Sequence, residues 1–235
     1  RDRSVSRGLG DVYKRQAMSH AKVYVNGQEV GYWPYGYNSF YFDITKQLMP
    51  GKKNTLAVRL ENLPESSRWY PGAGLYRNVH VIVTENAHIP VWGTYVTTPT
   101  ATKEFAKVNV RTQIVLLEGA DAGKYSVKTS VWNPNGQKLT EQTIPLSQIK
   151  YNDNSLSQEF IIQTPTLWSP DMPALYSAET RLYEGDQLKD IYTTPFGIRS
   201  IEIIPNKGFF LNGEKTVFKG VCNCLLYTSD AADDR

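Results

Sequence analysis

Aromatic rings and polar tips are densest at residues 61–79, ENLPESSRWYPGAGLYRNV. Arg68, Trp69, Tyr70 and Tyr76 are residue types that hold a sugar: flat rings stack on the C–H face of a pyranose, and guanidinium and phenol groups hydrogen-bond its hydroxyls. Gly72 and Gly74 let the backbone turn sharply between them. The same residues also read as a loop packed against a neighbouring domain, with Trp69 as its anchor, and the sequence weighs the two readings evenly. Residues 32–40, YWPYGYNSF, have a similar content and read as structural aromatics. Acid–base chemistry has less support. Asp43, Glu61 and Glu65 are candidate carboxylates, but no second carboxylate pairs with any of them. Asp43 reads as the cap of one helical turn, and Glu61 as a surface charge at a strand end. His20, His80 and His88 lack metal-ligand spacing, and His80, set among valines, is expected to face solvent. No glycine-rich loop follows a strand and opens a helix, so no phosphate or cofactor motif is present.

Composition narrows the classes. The chain has 235 residues, with 26 Lys+Arg against 23 Asp+Glu. A near-neutral balance gives no electrostatic reason to expect a nucleic-acid or membrane partner. No apolar run approaches membrane-spanning length. The two cysteines, Cys222 and Cys224, make neither a disulfide framework nor a metal motif. Compartment and oligomeric state stay unassigned.

The two ends read differently from the middle. DVYKRQ at residues 11–16 can be written GATGTGTATAAGAGACAG. The reverse complement, read from its second base, encodes Cys-Leu-Leu-Tyr-Thr and the start of a serine codon, which is CLLYTS at residues 224–229. Complementary strands of one DNA element at both ends resemble a translated sequencing adapter. Residues 1–16 and 224–235 are therefore expected to lie outside the fold, as mobile tails.

Between them the pattern is almost wholly β. AKVYVNGQEVGYW centres on Asn26-Gly27, a tight hairpin signal. Leu56, Val58 and Leu60 alternate with Ala57 and Arg59, and Val79, Val81 and Val83 repeat the alternation, which predicts strands with one buried face. Residues 17–86 are expected to be the C-terminal part of a sandwich, with an unpaired edge and an uncovered apolar face. Residues 87–198 supply about seven short strands, with turns at 133–136 and 184–186, which suggests an immunoglobulin-like sandwich with Trp132 and Trp168 in its core. Residues 199–223 read as a hairpin around Asn212-Gly213 and one further apolar strand.

Five segments carry a family resemblance in order: VYVNGQEVGYWPYGYNSFYFDIT, NTLAVRLEN, SRWYPGAGLYRNVHV, TLWSPDMPALY and FGIRSIEIIPNKGFFLNGEKTVFKGVCN. Together they resemble glycoside hydrolase family 2, closest to β-galactosidases. The resemblance implies an all-β chain: part of a jelly-roll sugar-binding domain, an immunoglobulin-like domain, then the first hairpin and strand of a TIM barrel. It implies a retaining exo-β-glycosidase acting on a carbohydrate, a β-galactoside, with no cofactor; β-glucuronidase and β-mannosidase specificities are the alternatives within the family. The catalytic glutamates of relatives belong to later barrel strands, so this chain is expected to have no catalytic residue and no turnover. Barrel sites lie at the C-terminal ends of strands, which places Asn223 at the pocket rim. Arg68, Trp69 and Tyr70 are the other expected sugar contacts. Some relatives place a sugar-contacting acid six residues ahead of the position of Gly74, and this chain has Arg68 there. The rival class is a stand-alone carbohydrate-binding or structural sandwich.

Overall fold

The structure is a computed structural model and describes residues 10–14, 17–64, 72–116, 120–148 and 155–220. The chain divides into two compact units, Arg1–Thr84 with Lys219–Arg235, and Glu85–Phe218. Among the described residues the only helical segments are three 3-10 turns, Thr45–Gln47, Ala122–Lys124 and Leu146–Gln148. Everything else that is regular is strand, so the all-β expectation holds.

The first unit contains β1 (Gly10–Lys14), β2 (Ala17–Met18), β3 (Ala21–Val25), β4 (Gln28–Trp33), β5 (Phe40–Asp43), β6 (Leu56–Arg59), β7 (Gly74–Leu75) and β8 (Val79–Val83). They pair as β4-β3-β6, β5-β1-β8 and β2-β7. The β3–β4 hairpin turns at Asn26 and Gly27, with φ of 51° and 83°. Two successive positive φ values match the right-handed twist of the strands, which is why Asn-Gly is chosen there. Ala17, Ala21, Val23 and Phe40 form the core, closed by Val30, Trp33, Phe42, Val58 and Leu60. Gly31 is obligatory at this contact, because a Cβ would stand 2.3 Å from the Phe42 ring.

Two expectations are corrected in this unit. Residues 10–14, placed outside the fold with the rest of 1–16, form the central strand of a sheet. β1 runs antiparallel to β5 from Asp11↔Asp43 to Lys14↔Phe40, and antiparallel to β8 from Gly10↔Val83 to Lys14↔Val79. The reason is that two facing strand edges present rows of unmet N–H and C=O groups, and any extended backbone satisfies them whatever its side chains. The expected unpaired edge is thus filled. The second correction concerns the valines of β8. Val79 and Val81 are 38% and 59% exposed. The apolar cluster built by β3, β4 and β6 reaches Phe40 and Phe42 of β5 but not β8, so the uncovered apolar face lies there.

The second unit contains β9 (Thr94–Ala101), β10 (Phe105–Gln113), β11 (Tyr125–Trp132), β12 (Lys138–Pro145), β13 (Ser155–Gln163), β14 (Tyr176–Glu184) and β15 (Gln187–Phe196). They form two sheets, β13-β10-β9 and β12-β11-β14-β15. This is an immunoglobulin-like sandwich whose fourth strand pairs with the third, so it joins the third, sixth and seventh strands rather than the first, second and fifth. Strict alternation in β13 and β14 buries Leu156, Gln158, Phe160 and Ile162, and Tyr176, Ala178, Thr180 and Leu182. The apolar interior is two clusters, one around Val108, Val110, Phe160 and Ile198 and one around Ile89, Val127, Leu156 and Leu182. Gln158 spans the sheets: its Oε1 accepts from Thr129 Oγ1 at 2.6 Å, and its Nε2 donates to Gln142 O at 2.9 Å. Edge strands β9, β12 and β15 carry Pro99, Pro145 and Pro195, as strands with a neighbour on one side only can.

Beyond Ile198 the chain forms β16 (Ile201–Ile204), β17 (Gly208–Leu211) and β18 (Glu214–Lys215), a small sheet turning at Asn212-Gly213. It is tied to the end of the sandwich. Trp168 N donates to Ile198 O at 2.8 Å, Asn212 Nδ2 donates to Trp168 O at 3.0 Å, and the Arg199 guanidinium lies 4.7 Å from the centre of the Trp168 ring. Trp132 and Trp168, expected in the core, are both half-buried, and Trp168 serves this joint.

Candidate functional site

Arg68, Trp69, Tyr70 and Asn223 lie outside the described residues, and so does Glu65. The segments on either side of residues 65–71 are described, and both are braced by residues 17–19. At the entry, Glu61 N donates to Ser19 O at 3.0 Å and Ser19 Oγ donates to Glu61 O at 2.9 Å. At the exit, β7 pairs with β2, Ala17↔Leu75 and Met18↔Gly74. Gly74 has φ of 130°, a conformation that favours glycine.

The same brace holds the second aromatic stretch. Gly36 sits against Met18, where a Cβ would meet Sδ at 2.1 Å. Tyr76, just past the exit, donates its hydroxyl to Gly36 O at 2.9 Å. Burial first, then the nearby Tyr37 and Tyr35, push the Tyr76 phenol above its ordinary value, with Arg77 opposing. Tyr35 and Tyr37 meet edge to face, with centroids 5.5 Å apart, and both are exposed. Tyr32 is exposed too, with its hydroxyl 2.5 Å from His20 Nδ1. Tyr76 is legible in the sequence as a candidate, whereas Tyr35 and Tyr37 read there as structural aromatics. What joins them is a contact across 40 residues of sequence, and the only sequence signal for it is aromatic density in both stretches. The assembly offers rings for stacking and phenols for hydrogen bonds.

It offers no acid–base pair. Asp43 Oδ1 accepts from Thr45 N at 2.8 Å, one residue ahead of the true cap position, Ile44. Glu61 is paired with Arg59 at 2.5 Å on the surface. In the second unit two carboxylates do converge: Lys189 Nζ lies 3.4 Å from Glu85 and 2.9 Å from Glu184. The hydrogen bond from Lys189 holds Glu184 below the usual carboxylate range. A general acid needs the opposite shift, so this cluster is an ion network. A cleft of about 330 Å³ beside Asn133, Leu139, Ile162, Thr164 and Tyr176 is lined by neutral residues alone. Among the described residues no group of three or more His, Cys, Asp or Glu side chains could hold a metal, and no helix is long and apolar enough to cross a membrane.

Comparison with known proteins gives consistent matches. Residues 87–199 match the model of glycosyl hydrolases family 2. The beta-galactosidase BoGH2A of Bacteroides ovatus is 36% identical over 86% of this chain and 24% of its own length. A beta-glucuronidase of Bacteroides fragilis is 29% identical over 87% of this chain and 31% of its own length. The crystal structure of a glycosyl hydrolase family 2 member from Bacteroides cellulosilyticus superposes with a TM-score of 0.82 at 33% identity, covering 90% of this chain and 29% of that one. The chain thus spans about a quarter to a third of the relatives it matches.

Proposed function

Because this chain belongs to glycosyl hydrolase family 2, we propose that it is the non-catalytic β portion of a retaining exo-β-glycosidase that removes terminal β-galactosides. The observation that carries the reading is order. The family match at 87–199 is flanked on one side by the braced aromatic loops and on the other by the β16–β18 hairpin, as the segments of the resemblance are. Retaining hydrolysis uses an acid/base and a nucleophile with carboxyls about 5 Å apart. In this reading both come from a barrel outside the 235 residues, and Asn223 stands at the rim of its pocket. Arg68, Trp69 and Tyr70 would make stacking and hydrogen-bonding contacts with the sugar.

A β-glucuronidase is the second reading, and Arg68 favours it. A guanidinium where some relatives carry an acid is suited to the carboxylate of a uronic acid, which it can bind bidentately. The test uses a polypeptide from the same DNA that continues past Asn223, assayed on nitrophenyl β-galactoside and nitrophenyl β-glucuronide. Galactoside hydrolysis supports the first reading and glucuronide hydrolysis the second. The present chain is expected to release no nitrophenol above buffer from either, and sustained release from it would overturn the proposal.

A further inference from the structure

We propose that the cleft at the side of the sandwich is a binding site for a single neutral pyranose ring. Its walls come from β12 and β13, the edge strands of the two sheets, with the turn at 133–136 and the start of β14. Further along the same seam Gln158 Nε2 donates to Gln142 O, which ties the two edges together. The polar side chains of the walls are uncommitted. Asn135, Gln163, Thr164 and Thr166 line the cleft, and their side chains make no hydrogen bond to any described residue. Tyr176 lines it as well and is 3% exposed. Its hydroxyl accepts from Thr166 N at 2.9 Å, which leaves the phenol proton without an acceptor among the described residues. A buried donor in that state is costly until an acceptor reaches it.

The chemistry of the walls selects the ligand. Amides and hydroxyls both donate and accept, as the hydroxyls of a sugar do. Pro134, Leu139 and Ile162 supply apolar surface for the C–H face of the ring. No charged side chain lines the cleft, so a phosphate or a carboxylate would find no partner there. At about 330 Å³ the cleft is at the small end of ligand pockets, which suits one ring rather than an extended chain. Thr164 gives an independent sign. Its φ is 43°, in the left-handed region, where a β-branched residue is an outlier. It also stands before Pro165, whose ring restricts the preceding backbone. Thr164 N donates to Glu104 O at 2.8 Å, which holds this conformation in place. Strained residues of this kind gather at ligand sites, where the fold holds them for the contact they make.

The test is an amide NMR titration of the full chain with methyl β-galactoside. The side-chain amides of Asn135 and Gln163 and the backbone amides of Thr164 and Thr166 should shift together and saturate in the millimolar range, as a ligand of this size does. Methyl β-glucuronide should bind the same groups at least about tenfold more weakly, because its carboxylate gains no partner. Asn135 and Gln163 are both exposed, so the double change Asn135→Ala, Gln163→Ala should leave the unfolding midpoint in place. It should weaken methyl β-galactoside binding at least about fivefold, by removing two hydrogen-bonding groups. No shift at these four residues, equal binding of the two glycosides, or an unchanged affinity in the double variant would overturn the assignment. Shifts confined to Tyr35 and Tyr37 would also overturn it, while leaving the reading of the aromatic loops in the first unit intact.

Discussion

Glu141 shows how far a surface carboxylate can be tuned by its neighbours. Lys128 and Lys138 both reach it at 2.9 Å, and Ser130 Oγ donates to it at 3.1 Å. The hydrogen bond from Lys128, then that from Lys138, lowers its pKa from 4.5 to about 2. A depressed folded-state pKa gives stability that is present above the unfolded value and lost as pH falls through the folded one, here between 4.5 and about 2. Lys128→Ala is therefore expected to move the Glu141 carboxyl midpoint, read by carbon NMR, up towards the ordinary value. An unmoved midpoint would show that Lys128 is not the main cause. This cluster was not legible beforehand, because Lys128, Lys138 and Glu141 sit on two strands whose register the sequence does not print. Turn residues were legible, since Asn26-Gly27 and Asn212-Gly213 are demanded by local backbone conformation alone. Arg68, Trp69 and Tyr70 stand out by residue type alone, whereas the brace that residues 17–19 give to Glu61 and to Gly74–Leu75 does not show in the sequence, because it depends on contacts made 42 to 58 residues apart.

Among the elements, β13 carries the sharpest test. Its alternation places Gln158 on the same inward face as Leu156, Phe160 and Ile162, so a polar group is buried at 1% exposure in the middle of the sandwich. The alternation was visible in SLSQEFIIQ, but the partner that makes burial tolerable, Thr129, belongs to the other sheet. Thr129→Val should cost about 1–3 kcal/mol, because it leaves the Gln158 carbonyl buried without a donor. Thr129→Val with Gln158→Leu should cost less than the sum of the single changes, since neither polar group is then stranded. Additive costs in urea unfolding would remove the pair from the account. The β1 strand teaches the converse lesson. Its codon-level oddity said nothing about pairing, because a ladder is made by backbone groups that every sequence shares.

At the level of the whole molecule, the division at Thr84/Glu85 predicts independent folding of the second unit. Glu85–Phe218 contains both sheets of the sandwich, both apolar clusters and the Asn212 and Trp168 joint that ties down β16–β18. Expressed alone, it should give one cooperative thermal transition and well-dispersed amide resonances. A broad, non-cooperative melt would mean that the first unit is needed to complete it. The sandwich was the most legible part of the fold because alternation, turn residues and strand count all agree there. The first unit was less so, since a three-stranded β4-β3-β6 sheet leaves the burial of β8 to something that periodicity does not name.

The prolines of β9, β12 and β15 have a consequence for crowded solutions. Fibril growth is a polymerisation in which each arriving chain must dock its backbone on an open margin and leave a fresh margin for the next. A residue with no N–H, fixed near one torsion, terminates such growth as a capped monomer terminates a polymer. Three of the sandwich's four margins bear such a cap, and only β13 does not. Concentrated stocks of Glu85–Phe218 should accordingly stay clear and fail to enhance thioflavin fluorescence, and Pro99→Thr and Pro195→Thr together should be the change that seeds it.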